Sequence, residues 1–185
     1  MLNKDRLRKK YFLKRKNNYF DIKPAFFNPL IKLIRKNYNN KKNINLSLYY
    51  PASFEVNVMK LYETEIVKKL KTSLPVLVDN NSMRFYKYKK NDVLQINKFG
   101  MLEPAKFLNH IVPDIILVPL LAFDNHNNRL GYGKGFYDRY FNKFLKINNI
   151  FLSIGIAFSF QKYHKLPVSS NDVKLNYILT EQGIL

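Results

Sequence analysis

The sequence predicts an α/β fold, in which helices cover a central, largely parallel β-sheet. Two apolar segments, Ile115 to Phe123 and Phe151 to Phe158, have the composition of buried strands. A helical segment lies between them, and a strand, a helix and a strand in this order form a right-handed unit whose strands run parallel. A chain of 185 residues can bury a core of ordinary size. We therefore expect residues 1–185 to form a single domain.

The first half of the chain supplies helices with an apolar stripe and short strands. Asn3 to Tyr19 is a predicted basic helix with Leu7, Tyr11 and Phe12 on its inner face. The elements that follow are a helix from Pro24 to Tyr38, a strand from Ile44 to Tyr50, a helix from Val58 to Lys71, and strands from Leu74 to Val78 and from Met83 to Tyr88. Their apolar residues recur at the spacing of the predicted element.

The second half surrounds its two long apolar segments with turns and one helix. The predicted elements, apart from the two strands named above, are a loop from Phe99 to Pro104, a polar turn from Asp124 to Asn128, a glycine-rich loop from Arg129 to Gly135, a helix from Phe136 to Ile147 that ends at Asn148 and Asn149, and a last strand from Tyr177 to Thr180. Ligands of parallel sheets bind beyond the carboxyl ends of the strands. The glycine-rich loop is expected at that edge.

The formal net charge of +19 has two possible explanations. A basic surface attracts polyanions such as nucleotides or nucleic acid. Alternatively, the charge reflects overall composition, because lysines are spread along most of the chain together with many asparagines and isoleucines. The sequence contains no zinc-knuckle spacing, aromatic RNA-binding motif or clear helix-turn-helix pattern. We therefore do not expect nucleic acid to be the main partner.

The chain contains no cysteine, which excludes disulfides, thiolate catalysis and cysteine metal sites. No segment approaches the roughly 20 apolar residues of a membrane span. The N-terminal residues lack the apolar segment of a secretory signal. We therefore expect a cytoplasmic protein that does not bind membranes. A monomer is also expected, although no sequence feature determines the oligomeric state.

The glycine-rich loop has the features of a phosphate-binding site. Gly131, Gly133 and Gly135 allow the backbone to approach a ligand closely, and successive N–H groups can converge on an anion. The following helix directs its N-terminus to the same point. Arg129 and Lys134 add the positive charge that a polyphosphate requires. The spacing matches neither the P-loop nor the dinucleotide fingerprint. A tight strand-to-helix turn remains an alternative explanation of the glycines.

Asp138 lies one turn into that helix, beside the expected phosphate site. Magnesium ions in proteins are bound by one or two carboxylates together with phosphate oxygens and water. The sequence therefore predicts that Asp138 holds a magnesium ion against the phosphates.

A longer pattern includes these residues: Pro119, Phe123-Asp124, Arg129-Leu130-Gly131, Gly133, Gly135 and Tyr137-Asp138-Arg139. This pattern closely resembles the signature of the 5-formyltetrahydrofolate cyclo-ligases, also called methenyltetrahydrofolate synthetases. Members of that family use ATP and magnesium to cyclise 5-formyltetrahydrofolate to 5,10-methenyltetrahydrofolate. The resemblance implies a three-layer, Rossmann-like sandwich and the same reaction, on 5-formyltetrahydrofolate with or without a polyglutamate tail.

The resemblance also implies a role for the first helix. Family members carry a K-x-x-x-R pair there that reaches the nucleotide, and Lys4 and Arg8 have this spacing. Residues four apart lie on one face of a helix. The register is open, because Arg6, Lys9 and Lys10 offer similar spacings. Without the resemblance, this segment would be a solvated basic helix.

Three further acidic positions match the family. A glutamate that contacts folate follows the strand and turn, as Glu55 does here; alternatively Glu55 caps the next helix, a contribution of about 0.3–1 kcal/mol. Asp172 matches an N/H-D pair that would supply a second magnesium ligand, although a capping role is also possible. Gly100 and Glu103 match a G-I-x-E-P loop near the substrate pocket, which turn geometry would explain equally well.

The resulting assignment divides the residues by ligand. The residues assigned to ATP are Lys4, Arg8, Arg129, Leu130, Gly131, Tyr132, Gly133, Lys134, Gly135, Phe136 and Tyr137. Tyr50, Glu55 and Tyr137 are assigned to the folate, and Asp138 and Asp172 to magnesium. Arg129 and Lys134 are the expected catalytic residues. We expect both to be exposed loop cations that contribute little to stability.

Three features depart from the family pattern and concern the substrate pocket. Phe136 replaces a common tyrosine, Asn176 stands where an acidic residue is frequent, and the chain has no tryptophan.

Overall fold

The structure, a computed structural model, describes residues 3–105, 110–145 and 151–185, and these residues form one eight-stranded sheet and two short two-stranded sheets. The strands are β1 (Asn45–Ser47), β2 (Lys71–Leu77), β3 (Met83–Lys87), β4 (Leu94–Ile96), β5 (Leu102–Pro104), β6 (His110–Ile111), β7 (Ile115–Pro119), β8 (Ala122–Phe123), β9 (Arg129–Leu130), β10 (Leu152–Ile156), β11 (Tyr177–Thr180) and β12 (Gly183–Ile184). The large sheet has the order β12-β11-β10-β7-β1-β2-β3-β6.

The centre of the large sheet is parallel and its edges are antiparallel. The parallel neighbours are β11 with β10, β10 with β7, β7 with β1, and β1 with β2. The strands β12, β3 and β6 pair antiparallel at the two edges. The predicted α/β fold with a central, largely parallel sheet is therefore confirmed.

Three α-helices accompany the sheets in the described part of the chain: α1 (Lys4–Asn18), α2 (Asn28–Tyr38) and α3 (Phe136–Leu145). Shorter 3-10 helices span Pro24–Phe27, Val58–Glu63, Glu65–Lys69 and Ser159–Gln161. The predicted end of α3 at Ile147, and the break at Asn148 and Asn149, lie outside the described residues. None of the described helices has the length and apolar composition needed to cross a membrane.

The alternation of side chains along β7 produces three layers, because successive residues of a strand point to opposite faces of the sheet. One face packs against α2 and the 3-10 helices, and the other packs against α3. The α2 side includes Ile115, Leu117, Leu30 and Ile34, and the α3 side includes Ile116, Val118, Tyr140 and Phe141. Since both faces of β7 are covered, its sequence is continuously apolar, as expected for a central parallel strand.

The predicted α-helix from Val58 to Lys71 is wrong. The chain forms two 3-10 helices, separated by Thr64 in an extended conformation (φ −104°, ψ 147°). The β-branched side chains of Thr64, Ile66 and Val67 disfavour a continuous α-helix. Lys71 already belongs to β2, where it pairs with Asn45 of β1. Sheet pairing therefore determines the end of this segment.

The apolar segment from Ile115 to Phe123 is likewise two strands rather than one. The strand β7 ends at Pro119, which lacks an N–H group to continue the ladder. The chain then turns, and the Leu121 N–H donates to the Leu130 carbonyl at 2.7 Å. The resulting β8–β9 hairpin positions Arg129 at the carboxyl edge of the large sheet.

Candidate functional site

A cavity of about 590 Å³ lies beyond the carboxyl ends of β1, β2 and β7. Every residue assigned from the sequence to a ligand lines this cavity. These residues are Lys4, Arg8, Tyr50, Glu55, Arg129, Leu130, Gly131, Tyr132, Gly133, Lys134, Gly135, Phe136, Tyr137, Asp138 and Asp172. They come from four separate parts of the chain: helix α1, the segment after β1, residues 129–138 and Asp172. The position agrees with the edge of parallel sheets at which ligands bind.

We name two ends of the cavity. The glycine-loop end contains Lys4, Arg8, the loop from Arg129 to Gly135 apart from the Tyr132 hydroxyl, Asp138 and Asp172. The Glu55 end contains Tyr50, Glu55, the Tyr132 hydroxyl and Tyr137.

The helix α1 carries Lys4 and Arg8 to the glycine-loop end. The Arg8 Nε donates a hydrogen bond to the Gly131 carbonyl at 3.0 Å, and the Lys4 Nζ lies 2.5 Å from an Asp172 carboxylate oxygen. The side chain of Asn3 caps the helix by accepting from the Arg6 N–H at 2.9 Å. The Arg8 and Lys4 contacts join the N-terminal helix to residues 123 and 168 positions away.

The register of α1 is fixed by the burial of Leu7 and Tyr11, which pack against β8, β9 and Leu166. This rotation directs Lys4 and Arg8 into the cavity. The three alternative cations, Arg6, Lys9 and Lys10, are exposed and do not line the cavity. The sequence spacing allowed several pairs of cations to face the cavity, and the packing of α1 selects Lys4 and Arg8.

Two glycines of the loop are favoured by their backbone conformation, and each lies close to an arginine side chain. Gly133 (φ 93°) and Gly135 (φ 68°) lie in the left-handed region that side chains disfavour. A Cβ atom at Gly133 would be 3.0 Å from the Arg8 guanidinium carbon, and one at Gly135 would be 2.9 Å from an Arg139 nitrogen. Gly131 differs, because nothing lies within 4 Å of an added Cβ atom. The space around Gly131 is open to the cavity.

Lys134 is exposed on the loop, as expected, but Arg129 is not. The Arg129 side chain is only 5% exposed. Its guanidinium donates to Asp138 at 2.6 Å and to the Val173 carbonyl at 2.5 Å. It also lies 5.2 Å from the centre of the Phe141 ring. Burial lowers the pKa of Arg129, although the charge of Asp138 opposes this shift. The expectation of an exposed loop cation is therefore wrong for Arg129.

Each predicted magnesium ligand is paired with a cation. One oxygen of Asp138 accepts from Arg129 and from the Val173 N–H, at 3.0 Å in the latter case, while the second oxygen accepts no hydrogen bond from the described residues. Asp172 pairs with Lys4 and accepts from the Ser169 N–H at 2.7 Å. Burial would raise the pKa of Asp172, but its hydrogen bonds to Lys4 and Ser169 lower it overall.

The donor set fits magnesium held jointly with a phosphate ligand. Asp138 and Asp172 supply hard carboxylate oxygens on one cavity wall. The described residues contain no group of three or more histidines and acidic side chains that could enclose a metal. Magnesium uses few protein carboxylates and completes its shell with phosphate and water.

The Glu55 carboxylate, which defines the Glu55 end, belongs to a residue that is only 8% exposed. It accepts from the Ala52 N–H at 2.9 Å and from the Tyr132 hydroxyl. Burial raises the pKa of Glu55, and the hydrogen bonds and the charge of Arg15 offset only part of this shift. The next helix, Val58–Glu63, is capped instead by Asn57, whose side chain accepts from the Met59 N–H at 3.1 Å. The capping alternative for Glu55 is therefore wrong.

Three tyrosines, Tyr50, Tyr132 and Tyr137, complete the Glu55 end. Tyr132 as a whole residue is 42% exposed, but its hydroxyl is hydrogen-bonded to both Glu55 and Arg15. The Tyr137 hydroxyl is buried and has no hydrogen-bond partner among the described residues. Burial, with a contribution from the nearby Glu55 charge, raises the pKa of both hydroxyls. Since an unpaired buried hydroxyl is costly, a ligand group near Tyr137 would be favourable.

Sequence reasoning missed Arg15, the largest fully buried side chain near the site. Its guanidinium contacts Tyr132 directly, yet it lies on the same inner stripe as Leu7 and Tyr11. A charged residue at i+4 on an apolar stripe is the signal that could have revealed it.

The loop with Phe99 contributes wall residues rather than its acidic residue. Phe99, Met101 and Leu102 line the cavity, and the Lys134 ammonium lies 5.4 Å from the Phe99 ring centre. Glu103 is buried outside the cavity and accepts hydrogen bonds from Leu77, Gln95 and Asn97. Of the two explanations weighed for Glu103, turn and hairpin geometry is the one that fits.

Comparison with known proteins agrees with the resemblance drawn from the sequence. The model of the 5-formyltetrahydrofolate cyclo-ligase family matches residues 3–181. The 5-formyltetrahydrofolate cyclo-ligase of Haemophilus influenzae is 33% identical over 141 residues, which cover 73% of this chain and 74% of that protein. The protein of the same name from Mycoplasma genitalium is 30% identical over 182 residues, which cover 97% and 98% of the two chains.

A solved structure extends the agreement to the fold. The NMR structure of the 5,10-methenyltetrahydrofolate synthetase from Aquifex aeolicus superposes with a TM-score of 0.75 at 29% sequence identity, covering 99% of this chain and 92% of that one. The family model, the relatives and the shared fold lead to one conclusion: this chain belongs to the 5-formyltetrahydrofolate cyclo-ligase family.

Proposed function

We propose that the protein is a 5-formyltetrahydrofolate cyclo-ligase that uses ATP and magnesium to form 5,10-methenyltetrahydrofolate, ADP and phosphate. One observation carries the proposal. A single cavity has cations, glycines and two carboxylates at one end, and a buried glutamate between tyrosines at the other. These two ends suit a polyphosphate and a polar heterocycle respectively. Membership in the cyclo-ligase family supports the assignment.

The need for ATP follows from the chemistry of the formyl group. Its oxygen is a poor leaving group, so direct attack by N10 of the folate would have to expel something close to oxide. Transfer of the γ-phosphoryl group to the formyl oxygen, with ADP as leaving group, creates an activated phosphate ester. N10 then attacks the activated carbon, and phosphate and the N10 proton depart to leave the methenyl bridge. The protein must align the oxygen with the γ-phosphorus and neutralise charge.

The glycine-loop end can perform that task. Lys4, Arg8 and Lys134 present positive charge to the cavity, and the open backbone at Gly131 allows close approach of a phosphate. Bound magnesium would add charge neutralisation, with Asp138 and Asp172 as its protein ligands. In this proposal Arg129 acts mainly by holding Asp138 in place, at 2.6 Å, rather than as a mobile loop cation.

The Glu55 end can bind the pterin. An ionised carboxylate accepts hydrogen bonds from ring N–H groups, and these charge-assisted bonds are stronger than neutral ones. The Tyr137 hydroxyl can pair with a polar ring atom, and Tyr50 forms a wall. Phe136 in place of a tyrosine and the absence of tryptophan leave the reaction class unaffected in this proposal, but alter the aromatic surface offered to the folate.

The decisive experiment is the growth of methenyl-product absorbance from 5-formyltetrahydrofolate, measured with and without Mg-ATP. The proposal requires product only when both magnesium and ATP are present. Folate binding without Mg-ATP-dependent turnover would identify a catalytically idle relative. Binding of RNA with steep salt dependence and no folate turnover would identify a basic nucleic-acid-binding protein. The single domain, the monomeric state and the cytoplasmic location remain predictions, which sedimentation, limited proteolysis and localisation of the tagged protein would test.

A further inference from the structure

Arg15 is buried at the Glu55 end without a carboxylate partner. The residue is 1% exposed and forms no ion pair within the described residues. A buried charge without compensation is unfavourable. The Tyr132 hydroxyl lies between Arg15 and Glu55 and is hydrogen-bonded to both. This arrangement suggests why a charge is kept at position 15.

The guanidinium of Arg15 connects three segments that meet at the cavity. One nitrogen donates to the Leu120 carbonyl at 3.1 Å. The other donates to the Ser53 carbonyl at 2.8 Å and to the Tyr132 hydroxyl at 2.6 Å. The Tyr132 hydroxyl, in turn, donates a hydrogen bond to the Glu55 carboxylate. The chain of contacts runs from cation to hydroxyl to carboxylate.

The Ser53 contact holds a strained turn. Ser53 (φ 49°) and Phe54 (φ 65°) both lie in the left-handed region, although neither is glycine. Successive residues in that region persist only where surrounding contacts enforce them. The turn ends directly at Glu55, so the contact between Arg15 and the Ser53 carbonyl fixes the backbone from which the carboxylate projects.

We propose that Arg15 is a positioning residue that holds the Glu55 carboxylate ionised and aimed into the cavity, acting through the Tyr132 hydroxyl and the Ser53 carbonyl. This inference rests on the proposed function, because the carboxylate so held is the one assigned to the folate. The ionisable groups that face Glu55 are Tyr132, Tyr49, Tyr137 and Arg15, and Arg15 is the cation among them. Its charge supports the ionised carboxylate through the polarised hydroxyl.

The direct test is a carboxyl ¹³C NMR titration of the full chain. The sequence has only five glutamates, and the Glu55→Gln variant assigns the Glu55 signal. Arg15→Met keeps the length of the stem and removes the charge, so Glu55 is expected to titrate at a higher pH than in the wild type. Tyr132→Phe, which removes the linking hydroxyl, is expected to shift the titration in the same direction. The matched control is Arg6→Met, on the exposed face of the same helix, and it should leave the Glu55 titration unchanged.

Turnover kinetics provide the second measurement. Arg15→Met should raise the KM for 5-formyltetrahydrofolate about tenfold, as expected for loss of support to a charge-assisted hydrogen bond, while the KM for ATP stays unchanged. A folded Arg15→Met protein with a lower melting temperature but the wild-type Glu55 titration and folate KM would overturn the proposal.

A second variant keeps the test decisive if Arg15→Met does not fold. Arg15→Lys retains the charge but cannot donate simultaneously in the planar fork of arginine. In a double-mutant cycle with Tyr132→Phe, the two effects on folate KM should be non-additive because both residues act on Glu55 through one hydroxyl. Additive effects would overturn the proposal. If the wild type shows no turnover but Arg15→Met and Tyr132→Phe shift the Glu55 titration as expected, the proposed function is rejected and the role of Arg15 stands.

Discussion

At the glycine-loop end of the cavity opposite charges contact each other directly, whereas at the Glu55 end a cation and a carboxylate are separated by a tyrosine hydroxyl. The Lys4 and Asp172 side chains are 29% and 27% exposed, so solvent reaches both members of the pair. Glu55 and Arg15 are 8% and 1% exposed, and each is held by backbone groups.

The difference concerns how each end prepares for a charged ligand. If the proposed function holds, we expect a phosphate to become the new partner of Lys4 and a divalent metal the new partner of Asp172, so that each charge exchanges one opposite partner for another. At the Glu55 end, hydrogen bonds from Ala52 and Tyr132 already orient the carboxylate, which would lower the ordering cost of binding the proposed folate. We infer that the first end works by exchange of partners and the second by preorganisation.

The largest effect is expected at Arg129, the buried cation of the glycine-loop end. Arg129→Ala leaves Asp138, whose side chain is 24% exposed, without its cation and empties a buried position, so we expect a cost of up to about 3 kcal/mol. We expect a lower midpoint in urea denaturation together with a loss of at least about 10²-fold in kcat/KM for ATP. The double variant Arg129→Ala, Asp138→Asn removes the unpaired charge and should recover part of the stability. A single variant as stable as the wild type would contradict the structural role given to this ion pair.

Lys134→Ala should separate activity from stability. Its ammonium is exposed and forms no ion pair among the described residues, so its contribution to folding is small. A direct phosphate contact predicts a loss of about 10²-fold in kcat/KM for ATP. Lys143→Ala, an exposed lysine of α3 outside this cavity, serves as the control. Equal ATP kinetics in both variants would remove Lys134 from the phosphate site.

The two aspartates test whether the exchange involves a metal. Asp138→Asn and Asp172→Asn should each raise the magnesium concentration for half-maximal rate, by about tenfold for Asp138. Asp138 is expected to matter more, because Arg129 and the Val173 N–H fix one of its oxygens and leave the other available. The measurement is a magnesium titration at saturating ATP and folate. Wild-type midpoints in both variants would mean that ATP alone holds the metal.

The smallest expected effect is a pH dependence of the melting temperature that comes from the Glu55 end. The pKa of Glu55 is raised above its ordinary value of 4.5 by burial, so its contribution to stability is fully present below that value and is lost as pH rises through the raised pKa. In Glu55→Gln this position does not titrate. The melting temperature of the wild type relative to the variant should therefore fall as pH rises from about 4 towards neutrality. A difference that is constant with pH would show that Glu55 titrates normally.

The same variant sharpens the comparison in kinetic terms. Glu55→Gln keeps the shape but removes the charge-assisted acceptor, so the KM for the folate should rise while the KM for ATP stays near the wild-type value. An equal change in both constants would mean that the two ends do not act separately.

Local patterns in the sequence were enough to predict much of this protein. The continuous apolar character of Ile115 to Val118 reports burial on both faces of a strand, and this property predicted a parallel sheet correctly. The positive φ of Gly133 and Gly135 explains why glycines recur at these spacings. Both signals are local, because they reflect the conformation of a few consecutive residues.

Features that depend on distant partners were decided only by the tertiary structure. The sequence predicted Arg129 to be an exposed loop cation, but its guanidinium is buried and donates to Val173 and Asp138. The sequence predicted a helix from Val58 to Lys71, but Lys71 pairs with Asn45 of β1. Arg15 became part of the site only because α1 packs against residues about a hundred positions away, such as Leu120. Burial and pairing are properties of the packed chain, and the free energy of a charged group depends on both. The sequence therefore determined the family, the fold class and part of the cavity lining, whereas packing decided the other lining residues and which charges are exposed, buried or paired.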